Sequence, residues 1–561
     1  MRRLLLRLLG VAALLIAATL AWVVATLPPA AVRPSGQPAH PNRLTGAYHV
    51  HSARSDGSGS ADDIAAAAAE AGLGFVIITD HGDATRPPDP PQYKHGVLII
   101  DAVEISTTGG HVVALNLPGA SAYPLAGETR DVIEDIHRMG GLAVAAHPDS
   151  PRPALRWRGA GLTVDGIEWF NADSQAREHP RTTLVAAAAR ALFRAPEAVA
   201  SLFQSSNASL ARWDAATRFR PTFSLAAVDA HARLGADADG GDSSSVRSIA
   251  FPGYATMFRT IAQTVVLEAP PTGDAATDAG AVLAALGSGR SYSAVRAFID
   301  SPFGLEFAAI GAAGRVDFAG TAAGDSPMLR AAVGEGTGAR LVLLANGREV
   351  ASGPDKVEFR APAGAYRVEA RLPGRPTPWI VSNVIWVGAR AQDSLPPPTS
   401  PACSVPATLI PGDSWAVEKD RTSAATIETG GADLRVQYRL GPGAPAGQYA
   451  ALASGAAGET AIECITFVAS SPKPMRLSVQ IRARGNGGLR WGRSVYVDAT
   501  PRPFSVALAD LDPLDRRSPL RPIAARVQSI LLVVDTLNAK PGTEGAIVFK
   551  NLGFVPARGG S

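Results

Sequence analysis

The stretch YHVHSARSDGSGSADDIAAAAAEAGLGFVIITDHG, Tyr48 to Gly82, contains a strand, a helix and a second strand, with histidines at the ends of both strands. Side chains two apart on a strand face the same side, so His49 and His51 can hold one ion together. The Ser55-Asp56-Gly57 turn swings Asp56 back toward them. Ser60-Ala61-Asp62-Asp63 opens a helix in the manner of a capping box, an alanine run carries it, and Gly72 is placed to stop it. FVIIT then returns as a β-branched strand that delivers Asp80 and His81.

Working outward, the same alternation continues. VLII (Val97 to Ile100), HVVALNL (His111 to Leu117), LAVAA (Leu142 to Ala146), VDGIEWF (Val164 to Phe170) and FSLAAV (Phe223 to Val228) read as further strands. Thr129 to Met139 is a helix ended by Gly140-Gly141, residues 180–220 are a helical insertion, and 274–287 is a last helix. Strands alternating with helices predict an α/β domain over 46–300, built on a mainly parallel sheet or barrel. Past residue 300 the character changes to short alternating strands with Gly and Pro turns. This predicts a small β-sandwich over 301–392, a Pro-rich linker over 393–402, and a jelly-roll-like β-sandwich over 403–561.

The 561 residues are too many for one ordinary core. A formal charge of +3, from 53 basic and 50 acidic residues mixed along the chain, gives no reason to expect a nucleic-acid partner. At the N-terminus, Arg2, Arg3 and Arg7 precede an uncharged run from Leu8 to Leu27. At about 1.5 Å per residue this run spans about 30 Å, the thickness of a bilayer's hydrocarbon core. It is longer than the apolar region of a cleaved signal, and no small-x-small site stands out. Residues 1–29 are therefore expected to be a membrane anchor, with a cleaved signal peptide as the alternative, and 30–45 a linker. The leading arginines put the rest of the chain on the extracytoplasmic, periplasmic side. Cys403 and Cys464 lie in one exported domain and are expected to be bridged, the alternative being two buried thiols.

Of ten histidines, six fall in or beside a predicted strand of the α/β domain, mostly with a carboxylate nearby. The groups are His49/His51/Asp56, Asp80/His81, Glu104/His111 across a glycine turn, His147 closing LAVAAHP, and Asp229/His231. Any one alone is weak, because an isolated His-x-His is more often incidental. Five in sequence, each tied to a strand, point to a metal centre at the C-terminal face of a barrel, where distant strand ends meet. Six imidazoles buried there without metal would leave many polar groups to satisfy.

The ordered set H-x-H, SDG, TDH, a following Glu and His, GG-x-A-V-x-A-H-P and D-x-H resembles the PHP (polymerase and histidinol phosphatase) family over about 46–300. The resemblance implies a distorted (β/α)7 barrel with two or three divalent ions. Carried onto this chain, it gives His49 and His51 to one ion, with Glu104 bridging to a second that His111 and His147 complete. It gives Asp56, His81 and His231 to a third, and Asp229 bridges or closes the first. GIEWFN (Gly166 to Asn171), GRSYSA (Gly289 to Ala294) and PWIVSNVIWV (Pro378 to Val387) also resemble an exported branch containing carbaryl hydrolases, with an appended β-domain.

A mixed N/O ligand set suits Zn²⁺, Mn²⁺ or Fe²⁺. Clustered dications lower the pKa of a bridging water and supply hydroxide near neutral pH. The expected activity is therefore a metal-dependent hydrolase using metal-bound hydroxide on a small-molecule ester, first of all a phosphate ester. A carbamate, ester or amide at the same metals is the alternative. Asp80 is expected to orient a ligand, and Arg54, Arg233 and Arg290 to contact an anionic substrate or to be ordinary surface arginines. His40, His95, His137 and His179 lack such surroundings. A reading of another class is an inactive barrel whose C-terminal domain binds glycans through Trp415, Tyr438, Trp491 and Tyr496, although core packing explains these aromatics as well.

Overall fold

The computed structural model describes residues 2–34, 40–159, 161–232, 252–323, 326–388, 403, 407–430, 433–445, 447–455, 461–483, 489–514, 522 and 527–557. The expected linker at 393–402 lies outside them. The N-terminal helix α1 (Arg2–Ala25) is exposed along its length except at Val23 and is long and apolar enough to cross a membrane.

Seven staves form the wall that carries the histidines. β1 (Arg43–Val50) is followed by α2 (Ala61–Glu70), whose N-cap Ser60 and Asp63 form the anticipated reciprocal capping box. β2 (Phe75–Ile78) lies parallel to β1, and a hairpin of β3 (Gln92–Lys94) and β4 (Val97–Asp101) puts β4 parallel to β2. Past Ala102 the chain continues as β5 (Val103–Thr107), and Glu104 N still donates to Asp80 O at 3.1 Å. β6 (Gly110–Leu115) pairs antiparallel with β5 and with β7 (Leu142–Ala145), after which β8 (Gly166–Asn171) and β9 (Phe223–Ala227) add in parallel. Val228 N donates to Tyr48 O at 3.0 Å and His51 N to Ala230 O at 3.0 Å, so the last stave meets the first.

The expected fold was a distorted (β/α)7 barrel, and the wall departs from strand–helix alternation at β5, β6 and β7. Thr107 pairs with Gly110, which leaves only two residues to connect β5 to β6. A turn that short returns the chain antiparallel and has no room for a crossover helix. Gly110, at φ 119°, takes a conformation that L side chains rarely adopt. Helices follow β6, as α3 (Thr129–Arg138), and β8, as α4 (Ala172–Arg177), α5 (Arg181–Ala200) and α6 (Asn207–Thr217). Among the described residues, irregular chain over 146–159 and 161–165 follows β7 instead.

The expected boundary at 300 falls inside a shared sheet. After α7 (Tyr254–Thr260), β10 (Ala262–Val266) pairs with β1 along the edge β2 does not use. After α8 (Ala275–Gly287), β11 (Ser291–Ala294) pairs with β10 and with the strand Ile380–Ser382. One hydrophobic core runs from Ala47 to Val387. Trp169 Nε1 donates to Ser293 Oγ at 3.0 Å, and the Asn383 side chain bonds both Ser224 and Ser291. Strands 305–311, 314–317, 328–333 and 356–360 form a separate four-stranded sheet in this region.

The C-terminal region is a β-sandwich of two six-stranded antiparallel sheets. Cys403 and Cys464 are bridged, 61 residues apart. Closing a loop of that size stabilises the fold by about 4 kcal/mol in the chain-entropy model. Trp415, Tyr438 and Trp491 are buried in the sandwich core, while Tyr496 packs under the Arg138 guanidinium at 3.8 Å. These four therefore offer no stacking platform, and a glycan contact by this domain would have to use other residues.

The sandwich is held to the α/β unit by Arg476, buried between two carboxylates of α3. Its Nε lies 2.9 Å from Asp135 Oδ2 and its Nη1 3.3 Å from Asp131 Oδ1. Removing one side of a buried ion pair leaves the other charge uncompensated, a cost of about 3–5 kcal/mol. Arg476→Ala is expected to lower stability by that amount in denaturant titration and to make 403–557 newly sensitive to limited proteolysis. A change within about 1 kcal/mol, the range of an exposed ion pair, would show that the contact does not hold the domains together.

Candidate metal centre

Glu104 sits where β5 bends across the mouth of the wall, and its carboxylate is surrounded by imidazoles. Oε1 lies 2.8 Å from His111 Nδ1 and 2.7 Å from His147 Nε2. Oε2 lies 3.2 Å from His49 Nε2, 3.3 Å from His51 Nε2 and 3.3 Å from His81 Nδ1. Asp229 Oδ1 approaches His49 and His51 at 3.5 and 3.4 Å, and Asp56 Oδ2 approaches His231 and His81 at 3.1 and 3.6 Å.

All nine carboxylates and imidazoles expected as ligands come together. They form four overlapping groups: His51/Asp56/His81/His231, His49/His147/Asp229, His49/His51/Glu104 and His81/Glu104/His111. Within each group one ligand atom per residue lies within 4.8 Å of all the others. The grouping differs from the expected one: His147 joins His49 and Asp229, His81 joins Glu104 and His111, and His51 also joins Asp56, His81 and His231, its ring stacked on His231 at 4.3 Å.

The backbone achieves this by departing from regular strand geometry. His49 sits at a bulge in the β1–β2 ladder with φ 67°, so His49 and His51 converge through an irregularity and not by plain alternation. His147 and Asp229 also have positive φ, at 28° and 48°. Such conformations cost on the order of 1–3 kcal/mol each and persist where the surroundings over-determine them. Gly57 shows how tightly the Asp56 loop is folded, because a Cβ there would lie 2.1 Å from His51 O. Asp80 fixes that loop, accepting from Ser52 N at 2.7 Å, Ser52 Oγ at 2.5 Å and Ser55 Oγ at 2.6 Å. Its hydrogen bonds thus go to the loop that carries Asp56.

The donor set fits divalent ions. Ligand atoms about 2.1 Å from a shared ion lie about 3.0–3.4 Å apart, close to the spacings here. The buried His51 Nε2 has no hydrogen-bond partner in spite of two carboxylates nearby. Burial opposes charge on His51, but Asp229 and Glu104 outweigh it and hold its pKa at about 10. Burial likewise opposes charge on His49, which the Glu168, Asp229 and Glu104 carboxylates nonetheless hold well above the usual imidazole range. Burial would raise Glu104 and Asp229, yet His49 and its neighbours hold both well below the usual carboxylate range. Without metal, protons on imidazole balance the buried carboxylates; a dication would take their place. His49, His51, Glu104 and His147 form a buried floor, while His81, a third exposed, opens the rim.

Glu168 is the functional residue the sequence reading missed. It is fully buried, its Oε1 lies 2.6 Å from His49 Nδ1, and its Oε2 accepts from His147 N at 2.7 Å and Asn171 Nδ2 at 3.0 Å. Asn171 also donates to Asp229 Oδ2 at 3.0 Å. Holding Nδ1 of His49 leaves Nε2 facing the cluster, and Leu155 O, 3.3 Å from His147 Nδ1, does the same for His147. The signal was a lone carboxylate inside the apolar run GIEWF.

The arginines divide. Arg54 is near the rim but is committed to Asp101 at 3.0 Å and Asp89 at 2.5 Å. Arg290 pairs with Glu268 at 2.6 Å beside the start of β11, at the opposite end of the wall from the histidines, because its carbonyl accepts from Val266, the partner of Arg43. It does not belong to the site. Arg233 lies outside the described residues. Arg177, which was not anticipated, borders the same cavity as Asp229 and His231 and pairs with Asp173. His95, His137 and His179 bond Asp62, Asp165 and Leu202 O, away from the cluster, and His40 packs on Phe303.

No family model matches the chain. An uncharacterized protein of Methanocaldococcus jannaschii is 38% identical over 104 residues, which is 18% of this chain and 60% of that protein. The chain thus spans less than two thirds of that relative's length. Among solved structures, it is similar to a two-domain protein from Bacteroides vulgatus described as containing a predicted PHP-like metal-dependent phosphoesterase. That match is 13% identical, covers 64% of this chain and 100% of the other, and has a TM-score of 0.30. A family 11 carbohydrate-binding module of a cellulosomal cellulase from Clostridium thermocellum is 15% identical over 26% of this chain and 88% of that one, with a TM-score of 0.21.

Residues that orient metal-bound imidazoles typically contribute about 10–100-fold in metal affinity. Glu168→Gln keeps the shape but loses the charge that holds His49, and it is expected to weaken metal retention by that factor in chelator competition. Unchanged affinity in a folded variant would remove Glu168 from the site. Metal titration of the stripped protein in weak buffer is also expected to release protons, because imidazoles held above their usual range must lose them to bind.

Proposed function

We propose that this chain is an exported, membrane-anchored hydrolase of the PHP type, dependent on two or three divalent ions and acting on a phosphate ester. The observation that carries the reading is the enclosure of Glu104 by five imidazoles, with Asp56 and Asp229 completing overlapping ligand groups. His49, His147 and Asp229 would hold one ion, and His81, Glu104 and His111 a second. His51, Asp56 and His231 would hold a third beside His81. Zn²⁺, Mn²⁺ or Fe²⁺ bound there would supply positive charge against the developing charge on the attacked group and make bound water a stronger acid.

The protein's own residues do the rest. The buried floor excludes bulk water and fixes Glu104 between imidazoles, so little reorganisation is needed when charge develops. Glu168, Asn171 and Asp80 hold ligands in place. The half-open rim at Asp56 and His81 admits the substrate. A carbamate, carboxylic ester or amide would use the same ligands and differ only in the walls around them. The inactive-barrel reading has less support, because a barrel released from catalysis has no reason to keep nine converging ligands.

Metal content of the full chain, purified in detergent, is to be measured by elemental analysis beside His49→Ala/His51→Ala. Both are then to be assayed on p-nitrophenyl phosphate, bis-p-nitrophenyl phosphate and 1-naphthyl methylcarbamate. The double variant is expected to lose at least one ion per chain and to fall to background turnover. A folded wild type that stays empty after reconstitution with Zn²⁺, Mn²⁺ or Fe²⁺ would refute the metal centre. Turnover of the carbamate alone would favour the second substrate class.

A further inference from the structure

Beside the metal centre lies a cavity of about 320 Å³ between α4, α5 and the chain around Asp229. Asp229 and His231 line it, Asp173 and Arg177 add a charged pair, and Ala176, Leu184, Val185 and Ala188 contribute apolar wall. The lining is thus mostly hydrocarbon, next to two of the ligand-bearing residues.

The helix that walls this cavity also presents hydrocarbon outward. Val185, Leu192 and Phe193 of α5 are 69%, 80% and 50% exposed, and their spacing of seven and eight residues puts them along one side of the helix. Val185 belongs to both surfaces, so the stripe reaches the cavity. Single exposed apolar side chains are ordinary, but the same helix also carries the contacts to the N-terminal helix, through residues on another of its sides. Arg190 Nε donates to Thr26 Oγ1 at 3.1 Å and its guanidinium lies 5.2 Å from the Trp22 ring. Arg194 Nη1 donates to Pro28 O at 2.6 Å, and Ala31 N to Glu197 Oε1 at 3.0 Å. These contacts hold α5 where α1 leaves the bilayer. A tryptophan and two arginines at that level, with an apolar stripe on another side of the same helix, are the features of a helix lying in the membrane interface.

We propose that the substrate is an amphiphilic phosphate ester drawn from the bilayer, its hydrocarbon chain in the α4–α5 cavity and its phosphate on the metal centre. This assignment rests on the hydrolase reading above and narrows its substrate class. In the reaction water adds across one ester bond: its oxygen bonds to phosphorus, the P–O bond to one alcohol breaks, and the alcohol leaves with a proton. No oxidant or reductant is required.

The test uses metal-loaded full-length protein and p-nitrophenyl alkyl phosphodiesters with methyl, butyl and octyl chains. kcat/KM is expected to rise with chain length, up to about fourfold for each methylene that enters the cavity. Ala188→Trp, which fills the cavity, should flatten the series. Val185→Glu, which charges its wall, should do the same, and metal content reports whether each variant is folded. The octyl ester is also to be offered dissolved below its micelle concentration and within phosphatidylcholine vesicles. Preference for the vesicle form, reduced by Leu192→Asp/Phe193→Asp, supports the bilayer as source, and equal rates would overturn it. A flat chain-length series in a wild type that cleaves the methyl ester would overturn the tail site and leave the hydrolase standing. Failure to cleave any of the esters with metals bound would instead sink the phosphoesterase reading itself.

Discussion

A carboxylate taken out of water is tolerated only where opposite charge or donors replace the solvent it lost. Glu104 meets that condition by drawing imidazoles from β1, the end of β2, β6 and the end of β7 around itself, and much of the surrounding wall follows from bringing those side chains to one point. The bulge at His49, the positive φ at His147 and Asp229, and the folded Asp56 loop are local departures that regular strands would not make. Each turns a ligand inward and is held by a neighbour, whether Glu168, Asn171 or Asp80.

The histidine clusters were legible in the sequence because metal chemistry needs particular residue types, and strand ends place them at recognisable points. The capping box at Ser60, the paired cysteines, the long apolar N-terminal helix and the two β-rich regions were legible for similarly local reasons. What stayed hidden was decided by tertiary pairing. Nothing in HVVALNL says that β6 runs against its neighbours, although the two-residue Thr108-Gly109 connection, once counted, leaves no other direction. Glu168 reads as one acid among apolar residues until the fold places His49 beside it. Arg290 was drawn in as part of GRSYSA, which begins at the wrong end of the wall. Trp415, Tyr438 and Trp491 could be read as platform or core from sequence, and burial decided for core.

The arrangement also separates rigid from accessible parts. His49, His51 and His147 around Glu104 are enclosed, whereas Asp56, His81 and His231 are partly exposed, and of these three His231 borders the cavity between α4 and α5. A site organised this way keeps its charge distribution fixed while the character of its entrance is set by helices that are not part of the wall.

The sheet that crosses residue 300 bears on what can be inherited or moved as a unit. Cut after β11, the α/β part would end on a bare strand edge whose partner, Ile380–Ser382, had been removed, and bare edges invite pairing with other chains. The cut would also take away Asn383, which bridges Ser224 of β9 and Ser291 of β11. The histidine-bearing wall thus shares a sheet with strands as far as Val387, and the first β-rich region buttresses it. Recombination during evolution, or any transplant of this centre to another protein, would have to respect that seam, whereas the sandwich beyond it is attached through side chains and could be exchanged.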